Sequence, residues 1–171
     1  MNTCTKDDDS MKLLYKGSDI LKRVSVNQCV VEKHAELESD TLILRFNDVK
    51  GSWSQWSPEF GDEIELSEGS MSTGVMYVSS VSPKNGLYTL CARSSPLDFK
   101  NNSFKSWEEV KFSQLAKEIA GRHGLRYEEY DVTDWTYPYL AQRGESDSSF
   151  LQHKCQLEGY AMIVRDKKLV I

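Results

Sequence analysis

"QRGESDSSFLQHKCQLEGYAMIVRDKKLVI", Gln142 to Ile171, holds the local signals on which the fold of this chain turns. Ser146 or Asp147 can cap a helix, because a short oxygen-bearing side chain there accepts a hydrogen bond from the helix's first free backbone N–H groups. The inward residues of that helix are Phe150, Leu151 and Cys155, with Leu157 nearby, and Gly159 can end it in the left-handed conformation. Beyond the glycine, "YAMIVRDKKLVI" reads as two strands joined at Asp166-Lys167.

Working back from this unit, Phe112, Leu115, Ala116, Ile119, Ala120 and His123 follow helical spacing and stop at Gly124, which predicts a helix of about three turns. Between the two helices, "DVTDWTYPYLAQ" reads as an aromatic loop. Residues 101–171 are therefore predicted to be helix, loop, helix and hairpin, a small α+β domain.

Upstream the punctuation changes. From Lys12 to about Ser95, the turn signals "YKGSD", "NDVKGSW", "SPEFGDE", "SEGS" and "SPKNG" separate short runs rich in Val, Ile, Leu and Tyr. Alternation predicts inward faces formed by Val24, Val26 and Val30, by Leu42, Leu44 and Phe46, and by Val75, Tyr77 and Val81. In "GDEIEL" it turns Ile64 and Leu66 inward and leaves Glu63 and Glu65 as a solvated face. Residues 12–100 form a β domain whose edges must be hidden by a sandwich or a barrel, and the pattern does not choose between these. Residues 1–11, with the acidic "TKDDDS", are expected to be a flexible N-terminal segment until a neighbour binds.

A net charge of -5 and a pI near 5.3 offer no phosphate-binding surface, so no nucleic acid partner is expected. The acidic start does not resemble a signal peptide and no apolar run approaches the roughly 20 residues that span a bilayer, so no membrane partner is expected and synthesis in the cytoplasm is. Cys4, Cys29, Cys91 and Cys155 lack a CxxC pairing and suit reduced thiols.

Chemistry is sparse. His153 and Cys155 fall on different faces of the predicted helix, a poor metal pair. Cys29 and Cys91 sit in strands, with no helix N-terminus to activate them toward His34 or His123. The common nucleotide-binding and acyl-transfer motifs are absent, so no catalytic residue, cofactor or metal is assigned and the chain is read as a non-enzyme. The aromatics Trp53, Trp56, Trp135 and Tyr137 are candidates for an interface, with capping of the two cores as the competing role.

"SWEEVKFSQLAKEIAGRHGL", then "QRGESDSSFLQHKCQLEGY" and "VRDKKLVI", resembles the phage late control gene D family, the baseplate hub proteins of contractile-tailed phages and phage-like particles. The matching positions are Trp107, Gly124, Leu125, Gln142, Glu145, Ser146, Asp147, Phe150, Leu151, Gly159, Tyr160, Leu169 and Val170. They are packing and capping signals: Ser146 and Asp147 the helix cap, Phe150 and Leu151 the buried anchor, Gln142 and Glu145 a polar approach whose side chains lock the turn.

The resemblance implies a tail-tube-like antiparallel β-barrel carrying a small helical and hairpin insert. It implies a structural hub linking the tail tube protein to the central spike protein, in the baseplate of a virion or tail-like particle assembled in a bacterial host. It also implies self-association as a homotrimer, or as a hexamer if one barrel is complete. Family hubs are about twice as long, with a second barrel, and carry glycine where this chain has Lys167, so a split or truncated hub with a second hub polypeptide is also an expectation. The rivals are a peptidoglycan-degrading tail component and a cell-wall-binding module using Trp53, Trp56 and Trp135 as stacking platforms.

Overall fold

The computed structural model describes residues 2–3, 11–34 and 39–171. Its N-terminal part holds strands β1 (Asn2–Thr3), β2 (Met11–Tyr15), β3 (Ser18–Asp19), β4 (Val26–Glu32) and β5 (Thr41–Asn47), then the short helix α1 (Ser52–Trp56). Strands β6 (Glu63–Glu68), β7 (Met71–Ser72), β8 (Met76–Lys84) and β9 (Leu87–Arg93) follow. All nine belong to one sheet, ordered β1-β4-β5-β9-β8-β6-β2-β3 with β7 on β6, and every pairing is antiparallel.

One face of that sheet is apolar, and it closes on itself. Strands β4 and β2 stand five strand spacings apart in the order, roughly 24 Å if the sheet were flat. Yet Cys29 of β4 and Leu13 of β2 share a single core with Leu42, Leu44, Phe46, Ile64, Leu66 and Leu90. The sheet is therefore rolled around its own buried face as a barrel, the arrangement that hides long edges without a second layer.

The expected faces hold for Leu42, Leu44 and Phe46 and for Ile64 and Leu66, all buried. Two others are corrected. The β4–β5 register shifts between Val26 and Gln28, so Cys29 rather than Val30 points inward. In β8 the inward residues are Met76 and Val78, whereas Tyr77 lies on the outer face near Lys167, Asp98 and Asp166. A second shift between Val78 and Ser80 returns Val81 to the core side. Within the segment expected to be flexible, Asn2–Thr3 pairs with β4 and Met11 is buried in β2; residues 4–10 lie outside those described.

The C-terminal part comprises β10 (Asn102–Lys111), α2 (Phe112–Arg122), β11 (Arg126–Glu128), β12 (Thr136–Ser146), α3 (Asp147–Glu158), β13 (Ile163–Arg165) and β14 (Lys168–Val170). Strands β10 and β12 form a long antiparallel ribbon, while β14 pairs parallel with β11 and antiparallel with β13. The ribbon corrects the reading of this region, since "NNSFKSW" and most of "WTYPYLAQRGES" are strand rather than linker, loop and turn. Their alternation is faint because β10 is mostly exposed and the buried positions of β12 include the polar Gln142 and Ser146 beside Leu140. Pro138, which has no N–H to donate, sits where the ladder skips from Tyr137 to Tyr139 opposite a Glu109 with φ 47°.

A second core, from Phe99 to Ile171, fills this lobe, with Phe112, Leu115, Ile119, Phe150, Leu151, Cys155 and Leu169 at its centre. Leu157, expected near it, is 65% exposed at the last turn of α3.

The hairpin β13–β14 joins lobe to barrel. Its turn residues Asp166 and Lys167 both have positive φ, 50° and 56°, matching the strand twist of a two-residue turn. Arg165 Nε donates to Asp40 Oδ2 at 2.7 Å, Asp166 Oδ1 accepts from the Val75 N–H at 3.3 Å, and Lys167 Nζ lies 2.5 Å from Glu63 Oε1. The Asp40 carboxylate is nearly buried and also accepts from the His34 N–H at 2.8 Å.

Candidate functional site

The residues singled out by sequence converge where β12 enters α3. Ser146 is the N-cap, its Oγ accepting from the Ser149 N–H at 3.2 Å, and Gly159 ends the helix at φ 79°. Asp147 is not the cap. Its carboxylate is buried and accepts from Gln142 Nε2 at 2.8 Å, lies 2.8 Å from His123 Nε2 and pairs with Arg122 Nη1 at 3.2 Å. One carboxylate thus ties the end of α2 to the start of α3 and to β12.

Gln142, 2% exposed, spends its second amide hydrogen on the Glu145 carbonyl at 2.9 Å. Gln142 therefore locks the turn, but Glu145 takes part through its backbone and not its side chain. Asp98 Oδ2 approaches His123 Nδ1 at 3.0 Å without hydrogen-bond geometry, and the ring packs on Phe99 at 5.0 Å between centroids.

Trp107 of β10 lies over this junction. Its indole stacks on Phe150 at 5.5 Å and donates to Glu118 Oε2 at 3.0 Å, and Lys105 also bonds Glu118. Burial pushes the Glu118 carboxyl up, but these two donors outweigh it and hold the group below the usual carboxylate range. Phe150 and Leu151 anchor α3 in the core, Leu125 is buried just after Gly124, and Leu169 and Tyr160 close the far side. Tyr137 donates to Glu158 and packs on the same core; burial and that carboxylate push its hydroxyl pKa upward.

The four interface candidates do not come together in one place. Trp53 is 3% exposed inside the barrel, stacked on Phe46 at 4.2 Å and near Tyr88 at 5.6 Å, so it caps a core. Trp56, 44% exposed, leans on Trp53 at 5.4 Å, while Trp135 is exposed on the other lobe. A stacking platform made of all three tryptophans is ruled out by this placement.

This network orders secondary structure. Among the described residues, no serine or cysteine hydrogen-bonds the His123 ring, and no group of three or more His, Cys, Asp or Glu side chains could hold a metal ion. Cys91 and Cys155 are free thiols, and burial pushes the Cys155 thiol up to about 12. Among the described residues, no helix is long and apolar enough to cross a membrane. The buried network had two sequence signals, the Gln-x-x-Glu-Ser-Asp spacing and the place of His123 as the last position of the helical stripe; the contribution of Arg122 had none.

No protein-family model matches this sequence, and no curated protein matches it. Solved structures do match its fold. The 43 kDa tail protein of prophage MuSo2 from Shewanella oneidensis aligns with a TM-score of 0.70 and 13% identity, over 94% of this chain and 53% of that one. A tail protein from Neisseria meningitidis MC58 aligns with a TM-score of 0.66 and 12% identity, over 94% and 49%. The c3393 protein of E. coli is described as a type VI secretion component structurally similar to the bacteriophage T4 tail proteins gp27 and gp5. It aligns with a TM-score of 0.52 and 15% identity, over 84% and 42%. The chain has the α+β fold of phage tail proteins and spans about half the length of these structures.

Proposed function

We propose that this chain is a structural component of a contractile-tail baseplate hub, connecting the tail tube to the central spike. The observation that carries this reading is the match of barrel and lobe together, over 94% of the chain, to two phage tail proteins. The gene D-type positions support it further, because Trp107, Gln142, Ser146, Asp147, Phe150 and Leu151 cooperate in one packed junction.

In this reading the barrel, residues 12–100, is the ring-forming unit and residues 101–171 the insert. Copies assemble into a trimer or hexamer, with the tail tube protein, the spike protein and a second hub polypeptide as neighbours. The role is geometric and not catalytic, since the polar network spends its groups on holding helices and strands. Light scattering over a concentration series tests the assembly. A mass of three or six chains is the expected result, and a stable monomer at high concentration would overturn self-assembly of this chain.

A further inference from the structure

A groove opens at the end of the barrel away from the lobe. It has a volume of about 320 Å³ and is lined by Val24, Val49, Trp53 and Trp56, with Arg23 and Lys50 at its rim. Val49 is 87% exposed and Trp56 44%, an apolar pair beside two cations, neither of which has a carboxylate partner among the described residues. Asp48, the acidic residue in the lining, is already used: its Oδ1 accepts from the Trp53 N–H at 3.0 Å at the start of α1.

The complementary surface lies on the lobe. The segment after β11, "EYD" at Glu129–Asp131, presents Tyr130 at 70% exposure between two acids. Its backbone is held, since the Tyr130 N–H donates to the Ile171 carbonyl at 2.8 Å and Asp131 turns the chain at φ 56°. Glu129 accepts from the Tyr127 hydroxyl at 2.7 Å, and neither Glu129 nor Asp131 forms an ion pair among the described residues.

These two surfaces cannot meet within one molecule. The lobe is pinned at Asp40, just before β5, whereas the groove begins at Asn47, seven strand residues or about 20 Å further on. The acidic segment emerges at the open end of the β13–β14 hairpin, next to Ile171, while the turn at the other end grips the barrel. A contact between two different surfaces on successive copies is heterologous, and such contacts close rings when the rotation permits.

We propose that the groove receives the Glu129–Asp131 segment of a second copy, Tyr130 entering between Val49 and Trp56 while the two acids face Arg23 and Lys50. This rests on the self-assembling hub reading and specifies which surfaces of the chain make that ring. The apolar ring supplies the anchor, and the flanking charges set register and partner choice.

Charge reversal tests it, using the full chain in light scattering at low and moderate salt. Lys50→Glu alone and Asp131→Lys alone should each weaken association at least tenfold, with the melting temperature kept as the control that both fold. Combining the two changes in one chain should restore it. Every junction of the ring then sets the introduced glutamate against the introduced lysine, whether three or six copies close it. Wild-type association unaffected by either change would overturn the groove contact and leave the ring standing. Weakened single variants whose combination in one chain stays dissociated would overturn the pairing, and a monomeric wild type would overturn both the ring and the contact.

Discussion

Replacing Asp147 by alanine removes the group that ties three elements of the lobe, and the loss can be worked from its partners. Arg122 keeps partial exposure and a second carboxylate, Glu118, 3.9 Å away, so its charge is re-solvated at little cost. Gln142 keeps its bond to the Glu145 carbonyl. The buried His123 ring loses its Nε2 partner, and an unsatisfied buried donor costs about 1–3 kcal/mol. Breaking a buried charge pair reaches about 3–5 kcal/mol, offset here by Arg122's access to water, so about 3 kcal/mol is expected. With a urea m-value of about 2 kcal/mol/M, the unfolding midpoint falls by about 1.5 M. Hydrogen exchange should show the lost protection in β12, α2 and α3 ahead of the barrel strands. Ser146→Ala, which removes only the cap, should cost about 1 kcal/mol. If Asp147→Ala proves no more damaging than Ser146→Ala, or costs less than about 0.5 kcal/mol, the assignment of Asp147 as the tie is wrong.

Gly74 has φ +62°, and a Cβ there would lie 2.6 Å from the Asp166 Cβ; Gly69, at φ +56°, has nothing within 4 Å. Gly69→Ala should therefore cost only the left-handed penalty of about 1–2 kcal/mol, and Gly74→Ala visibly more, as compared by melting temperature. Asp62, Glu118 and Asp134 all titrate below their usual range. At Asp62 burial pushes upward but the Lys16, Tyr15 and Glu59 hydrogen bonds win, and at Asp134 the Ser113 N–H leads the downward shift. Their stabilisation is thus fully present above the ordinary carboxylate pKa and is lost as pH falls through the depressed folded values. Melting temperature should drop between about pH 5 and pH 2, less steeply in Glu118→Gln. Alkylation with peptide mapping at about pH 8 should leave Cys155 unmodified until the protein unfolds, since its thiol is buried and pushed up to about 12.

What the sequence disclosed followed the strength of local signals. Helices α2 and α3 were legible because Phe112 to Ala120 keep a single apolar stripe and because Ser146 and Gly159 mark the ends of α3 with side-chain chemistry, whereas the short α1 lay in a stretch that reads as turn. Strand β5 was legible because one face is wholly buried and the other is not. Strands β4 and β8 misled because a bulge resets the period partway along each, and in β8 because the lobe covers the outer face near Tyr77. The ribbon was illegible for another reason: β10 buries only Trp107 and Val110, and of the alternate residues Leu140, Gln142 and Ser146 that β12 buries two are polar, so no apolar period of two appears. The Asp147 network depends on a His that sits 24 residues earlier in sequence and on the Arg just before it, contacts no local pattern encodes.

Lysine at position 167 has a structural reason. A two-residue turn with positive φ at both central positions ordinarily favours glycine at the second, because a side chain there costs about 1–2 kcal/mol. Here Lys167 accepts that strain at φ 56° and places its ammonium 2.5 Å from Glu63 on the barrel, and that carboxylate is the leading cause of its raised pKa. The preceding residues act on the barrel as well, Asp166 against Gly74 and Val75, Arg165 on Asp40. Three successive side chains of one turn thus fix the lobe against three different places on the barrel. A glycine would make an easier turn but would lose one of those three contacts, which is a sufficient physical ground for lysine where a rigid lobe-to-barrel angle is what the fold requires.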